Sequence, residues 1–291
     1  MDIFIKIKDL LISVPGPAWA EILIRVILLG IFLALELLSV PPFVRVIQPE
    51  EAWLYKFPMS SSALVTSEAL SVSQIVNQIL PPWLMVCSCI AVIFIAYGIN
   101  RNLRSGLIAL LVPTLAIPLT GVITNVLKIT VGRPRPDYFN RCYGDGYMMV
   151  KDVKKACTGD VGKIRDGRKS FPSGHSSLSF CALGFISVFL ASQLRTFATK
   201  GKGASWRLII TLIPLLAATL VAVSRLCDYR HHWQDVAVGA ILGFSIMYAV
   251  FQQYFPPLNS INCQTPYSFL ENQVQYDSLE MVSSSGSESR N

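Results

Sequence analysis

The sequence has little charge. Asp, Glu, Lys and Arg make up 15% of its 291 residues, whereas 52% are hydrophobic. This balance argues against a soluble enzyme and favours a chain that crosses a membrane several times. The net charge of +7 does not indicate nucleic acid as a partner, because the basic residues lie in short loops and at the ends of apolar stretches. The expected surroundings of the chain are therefore a membrane.

Several common signatures are missing from the sequence. It has no internal repeat, no glycine-rich nucleotide loop and no Asn-X-Ser/Thr glycosylation site. Its seven cysteines lack the spacing of metal ligands. Two of them, Cys142 and Cys157, share one large loop. If that loop faces an oxidising compartment, these two thiols could form a disulfide.

Six apolar stretches have the length of a membrane-spanning helix, which needs about 20 residues. They are Ala18–Val40, Trp83–Asn100, Leu107–Lys128, Ser176–Gln193, Arg207–Arg225 and Trp233–Phe255. We therefore predict an all-α polytopic membrane protein with six transmembrane helices, in a domain covering residues 18–258. Residues 1–17 carry apolar side chains at helical spacing, which predicts a helix on the membrane surface, and residues 67–80 indicate another.

The tail, residues 259–291, is polar and ends in a Ser- and Glu-rich run, so we expect it to be disordered and cytosolic. The short basic links 101–105 and 194–206 also favour the cytosolic side. With the amino terminus in the cytosol, four helix ends then meet at the non-cytosolic face: the end of the third span, the start of the fourth, the end of the fifth and the start of the sixth. The loop 129–171 is basic as well, which conflicts with this placement.

The expected meeting point of these helix ends is rich in cations and histidines. All three histidines of the chain lie there, in loop-to-helix junctions. The polar residues at this face are Lys128, Arg133, Arg135, Ser173, His175, Arg225, His231, His232 and Asp235. Cations together with free backbone N–H groups at a helix start form a site for a tetrahedral anion. The sequence therefore predicts an active site for phosphate at the non-cytosolic face.

Two histidines in separate junctions suit covalent phosphoryl transfer. His231 and Asp235 are four residues apart, which on a helix would place the carboxylate on one imidazole nitrogen and leave the other as a nucleophile. His175 would then protonate the leaving oxygen. The simpler alternatives are that a histidine lies at the interface without catalysing, that Arg133 is only a loop cation and that His232 only packs near Trp233. A metal site is disfavoured because the surrounding Arg and Lys repel a cation, so we expect neither a metal nor another cofactor.

These residues resemble the three-part signature of the type 2 phosphatidate phosphatase, or lipid phosphate phosphatase, superfamily. The pattern K-x6-R-P matches Lys128 to Arg135-Pro136, P-S-G-H matches Pro172 to His175, and S-R-x5-H-x3-D matches Ser224-Arg225, His231 and Asp235. The run Cys-Asp-Tyr-Arg-His-His-Trp-Gln-Asp across the third part is similar to the diacylglycerol pyrophosphate phosphatase-like branch.

The resemblance implies a six-helix membrane enzyme that removes phosphate from lipids without a metal. It implies that His231 is the nucleophile, Asp235 its orienting partner and His175 the general acid and later the base. The phosphate binders that it implies are Lys128, Arg135, Ser173, Gly174 and Arg225. The missing glycosylation site departs from glycosylated members and leaves surface residence unsupported, so we expect the endoplasmic reticulum or another endomembrane.

We therefore expect a phospholipid in the bilayer as substrate, such as phosphatidate, diacylglycerol pyrophosphate or lysophosphatidate. Two alternatives stay open from the residues: a lipid phosphotransferase, and a non-enzymatic lipid or anion transporter. Against the transporter, the expected site lies at a membrane face instead of the midplane. A homo-oligomer is compatible with the sequence, which does not indicate one.

Overall fold

The computed structural model describes residues 18–38, 40–57, 87, 89–94, 103–143 and 157–270. These residues form α-helices, one 3₁₀ helix and connecting turns, with no strand among them, so the all-α prediction is confirmed for the described part. The 3₁₀ helix is Pro49–Tyr55. The α-helices are α1 (Ala18–Leu37), α2 (Leu103–Val131), α3 (Tyr138–Tyr143), α4 (Val161–Asp166), α5 (Gly174–Gln193), α6 (Ser205–Cys227) and α7 (Trp233–Tyr254).

Four helices in the described part are long and apolar enough to cross a membrane. They are Ser105–Val131 within α2, Gly174–Gln193, Ser205–Cys227 and Trp233–Tyr254. The chain is thus an integral membrane protein, as predicted. Six spans and the orientation of the site stay predictions, because most of the second expected span lies outside the described residues. The surface helices expected at 1–17 and 67–80 lie outside them entirely.

Helix α5 lies at the centre of the bundle and packs against α2, α6 and α7. Its contact with α7 depends on two glycines four residues apart. A Cβ on Gly239 would lie 2.6 Å from the carbonyl oxygen of Ser173, and a Cβ on Gly243 would overlap the carbonyl oxygen of Ser177. Small residues at this spacing let two helix backbones approach closely inside a membrane. The first turn of α5 is therefore held directly against the first turns of α7.

Helix α1 carries two charged side chains inside an apolar segment, and they pair with each other and with polar groups of the bundle. Arg25 pairs with Glu21 at 2.5 Å, as the four-residue spacing predicts, and also donates to the hydroxyl of Tyr254 at 2.6 Å. The hydroxyl of Thr114 lies 3.3 Å from its Nε. Because an unpaired charge in a bilayer is costly, this network fastens α1 to α2 and α7.

The ordered chain extends past the domain boundary predicted at residue 258. The Ser192 hydroxyl donates to the carbonyl oxygen of Cys263 at 2.6 Å, and Arg195 Nε donates to the Gln264 side chain at 3.0 Å. Cys263 is fully buried. The start of the expected disordered tail is therefore packed against the end of α5 at Cys263 and Gln264, and residues 271–291 lie outside the described part.

Candidate active site

His231 lies in the short loop between α6 and α7 and is 5% exposed. Its Nδ1 donates to the carbonyl oxygen of Ser170 at 2.7 Å. A carbonyl only accepts hydrogen bonds, so the proton of the neutral imidazole lies on Nδ1 and the lone pair lies on Nε2. The fold thus fixes one tautomer of His231, the one whose Nε2 can act as a nucleophile.

Asp235 does not hold the His231 ring in the way that the spacing suggests. Helix α7 begins at Trp233, so His231 precedes the helix and the pair does not share a helical face. The nearest carboxylate oxygen lies 3.9 Å from His231 Nδ1, which is beyond hydrogen-bond distance. The expected direct orienting bond is therefore replaced by the backbone carbonyl of Ser170.

The Asp235 carboxylate instead organises the residues around His231. It is fully buried and accepts from Arg133 at 2.6 Å, from the Ser170 hydroxyl at 2.6 Å and from the His232 backbone N–H at 3.0 Å. The bond to Ser170 positions the residue whose carbonyl holds His231. Asp235 thus acts on the imidazole through Ser170, and its charge lies close enough to stabilise a positive ring.

Ser170 is a site residue that the sequence did not reveal, and Arg133, one of the polar residues expected at this face, pairs with Asp235. Only Arg135 of the Arg-Pro-Arg-Pro segment has the signature spacing, and Arg133 reads as a loop cation until its ion pair with Asp235 is visible. Ser170 acts through a backbone carbonyl, which side-chain patterns do not report. The second histidine of the junction, His232, is the N-cap of α7, and its ring packs edge-on against Tyr55.

The signature at the start of α5 brings backbone and cation together. Ser173 is the N-cap, and its backbone N–H donates to the Asp235 carbonyl oxygen at 2.9 Å. A Cβ on Gly174 would lie 2.8 Å from Lys128 Nζ, so glycine lets the ammonium approach the first turn of α5. The first backbone N–H groups of a helix lack intrahelical acceptors and attract anions. Lys128 and the start of α5 therefore form one positively charged region that can bind an anion.

The fold leaves one donor of Arg135 without an acceptor among the described residues. Its Nη2 donates to Asp166 at 2.8 Å, whereas its Nε is buried and has no hydrogen-bond partner among the described residues. Arg141 also donates to Asp166 at 2.8 Å. A buried donor without an acceptor is costly, so the Nε position favours an anion that binds there.

Arg225 also lies near the site, but its charge is partly neutralised by an ion pair. Its guanidinium is buried, pairs with Asp228 at 3.2 Å and lies 3.1 Å from the Ser224 hydroxyl. His175, by contrast, is exposed on the first turn of α5. It lines a cavity of about 280 Å³ together with Lys128 and Gly174, which we call the main cavity. Residues of α1, α2 and α5 form its walls.

A disulfide between Cys142 and Cys157 fastens the loop that carries Arg135 and Asp166. The Cys142 carbonyl accepts from the backbone N–H groups of Thr158 and Gly159 at 3.0 and 2.9 Å. The bond therefore joins the end of α3 to the segment that leads into α4. Because Arg141 on α3 binds Asp166 on α4, the disulfide also helps to position Asp166, which pairs with Arg135.

The surroundings of His231 keep its ring neutral. Burial lowers the pKa of His231 well below 6.5, the charges of Arg135, Lys128 and His175 lower it further, and the Ser170 carbonyl opposes them. These groups lie on α2, α5 and the loop between them, so residues far apart in sequence act on one imidazole. Since a nucleophile must be unprotonated, this environment suits the attacking role.

The lowered pKa of His231 predicts a pH dependence of stability. Below pH 6.5 the unfolded chain binds a proton at this position and the folded chain does not, so stability falls as the pH falls through this window. One such histidine changes the free energy of unfolding by up to about 1.4 kcal/mol per pH unit. We expect the thermal midpoint of detergent-purified protein to fall less between pH 7.5 and 5 in His231→Gln than in wild type. Equal slopes would contradict the assignment.

Comparisons with known proteins identify relatives of this chain. Residues 109–257 match the family model described as the PAP2 superfamily. Lipid phosphate phosphatase 2 of Arabidopsis thaliana is 42% identical over 65% of this chain and 66% of its own length. Lipid phosphate phosphatase 1 of the same plant is 32% identical over 86% of the chain and 72% of its own length.

A protein named probable diacylglycerol pyrophosphate phosphatase 1, from Schizosaccharomyces pombe, is 40% identical over 57% of this chain and 60% of its own length. The matched segments thus span about two thirds of these relatives. No solved structure gave a significant match. The family match covers half of the chain and includes each of the residues assembled above, from Lys128 to Asp235. The chain belongs to the PAP2 superfamily.

Proposed function

We propose that this protein is a metal-independent lipid phosphate phosphatase that acts through a phosphohistidine at His231. The observation that carries the proposal is the hydrogen bond from His231 Nδ1 to the Ser170 carbonyl, which leaves Nε2 as the lone-pair nitrogen beside cations. The relatives named lipid phosphate phosphatase and diacylglycerol pyrophosphate phosphatase support the substrate class. Phosphatidate, lysophosphatidate and diacylglycerol pyrophosphate are the substrates of the proposal.

In the first step, His231 Nε2 attacks phosphorus and the bond from phosphorus to the leaving oxygen breaks. His175 donates its proton to that oxygen, so the lipid leaves as an alcohol or as a lipid monophosphate. In the second step, His175 accepts a proton from water, which attacks phosphorus and releases phosphate from His231. Lys128, Arg135, Arg225 and the N–H groups at the start of α5 bind the phosphate oxygens in both steps.

Asp235 and Ser170 have a defined part in these steps. When Nε2 bonds to phosphorus, the imidazole becomes positively charged, while Nδ1 keeps its proton and donates it in a hydrogen bond to the Ser170 carbonyl oxygen. The buried Asp235 carboxylate, 3.9 Å from Nδ1, then stabilises that charge. Arg133 holds the carboxylate in place, since its Nη1 lies 2.6 Å from Asp235 Oδ1.

The main cavity supports a lipid that enters from the side. Phe32, Gly121 and Leu178 form apolar walls, and Lys128 and His175 lie on the same cavity. In the proposal, the acyl chains stay in the bilayer while the headgroup reaches the cations. We also place the site on the non-cytosolic side, which the Cys142–Cys157 disulfide supports because such bonds persist in oxidising compartments.

The proposal predicts phosphate release without a divalent metal, because Lys and Arg side chains supply the positive charge. Purified protein in detergent micelles should release phosphate from phosphatidate and from diacylglycerol pyrophosphate. For each lipid, the rate in excess EDTA should equal the rate with added Mg²⁺. Loss of activity in EDTA that returns with added metal would contradict the mechanism. A phosphorylated lipid alcohol in place of free phosphate would indicate a phosphotransferase.

A further inference from the structure

A second cavity of about 240 Å³ adjoins the main cavity, and we call it the side cavity. The two cavities share Glu36, Asn125 and Lys128 as lining residues. The side cavity extends from there towards α4 and the segment before α5, where Arg165 and Lys169 line it. A water molecule occupies about 30 Å³ of liquid, so the side cavity has room for a group as large as a phosphate.

The side cavity carries more positive charge than the mechanism uses. Three cations line it: Lys128, Arg165 and Lys169. Only Lys128 belongs to the proposed catalytic set. Lys169 is half-buried and Arg165 is exposed, and neither side chain takes part in a hydrogen bond or ion pair that the structure shows among the described residues. These two cations are therefore unexplained by the fold around them.

Two carboxylates also line the side cavity, and they do not cancel its charge. Asp166 is neutralised twice, by Arg135 at 2.8 Å and by Arg141 at 2.8 Å. Glu36 accepts a hydrogen bond from the Asn125 side chain at 3.0 Å. The net charge on the walls is thus positive. Arg135, which binds Asp166, also has a buried Nε with no hydrogen-bond partner in the part of the chain that the structure describes.

We infer that the side cavity is a second anion subsite, which holds the non-reacting phosphate of a lipid diphosphate while the terminal phosphate lies at His231. This inference rests on the proposed function. Lys128 would contact both phosphates, because it lines the side cavity and its charge also acts on His231. When His231 attacks the terminal phosphorus, the leaving group is the lipid monophosphate, and its phosphate is the group that Arg165 and Lys169 bind. Glu36 opposes this binding through its charge.

Binding of small probes tests the subsite without turnover. Methylenediphosphonate, in which a carbon bridge prevents hydrolysis, should bind the detergent-purified wild-type chain about tenfold more tightly than inorganic phosphate, since charge-assisted bonds to a second group add about 1.4 kcal/mol or more. In Lys169→Gln and in Arg165→Gln this advantage should fall at least about threefold. In Glu36→Gln it should rise, because Gln keeps the acceptor for Asn125 and removes the charge.

Lys163→Gln is the matched control, because Lys163 is an exposed cation on the same short helix and does not line the side cavity. It should leave the binding ratio unchanged. In turnover, Lys169→Gln should lower kcat/KM for diacylglycerol pyrophosphate relative to phosphatidate by a similar factor. A wild-type protein that binds both probes equally, or an advantage that survives in Lys169→Gln and Arg165→Gln, would overturn the subsite. Failure of the proposed function would show instead as no phosphate release from either lipid, whatever the probes do.

Discussion

Replacing His231 with alanine is expected to lower phosphate release from lipid substrates by about 10⁴-fold or more. The reason is that the variant loses the attacking nitrogen itself, whereas Lys128, Arg135 and the start of α5 remain to bind phosphate. Substrate should therefore still bind with a KM within about threefold of wild type, and the loss should appear in kcat. Phosphate release from phosphatidate in micelles gives both constants.

His232→Ala is the matched control for this experiment, because the two histidines are adjacent and both lie at least partly within the fold. The His232 ring contacts the Pro134 carbonyl and Tyr55 and has no part in the proposed chemistry. We expect less than about a tenfold loss of activity, caused by weaker packing before α7. If His231→Ala kept more activity than His232→Ala while remaining folded, His231 could not be the nucleophile.

Gly243→Ala is expected to damage both stability and activity although the residue lies away from the phosphate site. Its new Cβ would overlap the carbonyl oxygen of Ser177 on α5, and a backbone atom cannot rotate away as a side chain can. Helices α5 and α7 must then move apart, at a cost of about 3 kcal/mol. This movement separates the His175 end of α5 from the His231 end of α7, so activity should fall about a hundredfold in the protein that still folds.

Gly30→Ala provides the control for Gly243→Ala. Both substitutions add one methyl group to a long apolar helix, but a Cβ on Gly30 meets no atom within 4 Å. Its effect on the thermal midpoint should be small and, because alanine favours helices more than glycine, stabilising if anything. Equal midpoints and activities for the Gly243 and Gly30 variants would show that the close contact between α5 and α7 does not position the site.

Much of the fold follows from long apolar runs, and the errors lie at their ends. The run that predicts Ser176–Gln193 corresponds to α5, Gly174–Gln193. The expected span starts two residues late, because Ser173 caps the helix and α5 includes Gly174 and His175 in its first turn. Similarly, the polar composition after residue 258 indicates a disordered tail, although Cys263 and Gln264 pack on the end of α5.

In the candidate site, too, the sequence predicts the ionisable side chains but not the backbone geometry around them. His175, His231, Lys128 and Arg135 are rare ionisable residues at helix ends, so their spacing and the count of crossings predict that they share a face. The bond from His231 to the Ser170 carbonyl depends on how the loop before α5 is folded, and no residue pattern encodes it. The four-residue spacing to Asp235 suggested a helical pair, but α7 starts only at Trp233.

The measurement that tests the central claim most directly is the capture of the phosphorylated enzyme. Wild-type protein would be mixed with p-nitrophenyl phosphate carrying ³²P, whose leaving group needs no proton from His175, and quenched in base within milliseconds. We expect a label that is stable in base, labile in acid and located on the peptide that contains His231, and its amount should increase in His175→Asn, because water is then activated poorly. Steady phosphate release with no label on His231 in either protein would mean that water attacks phosphorus directly, and the phosphohistidine account would be wrong.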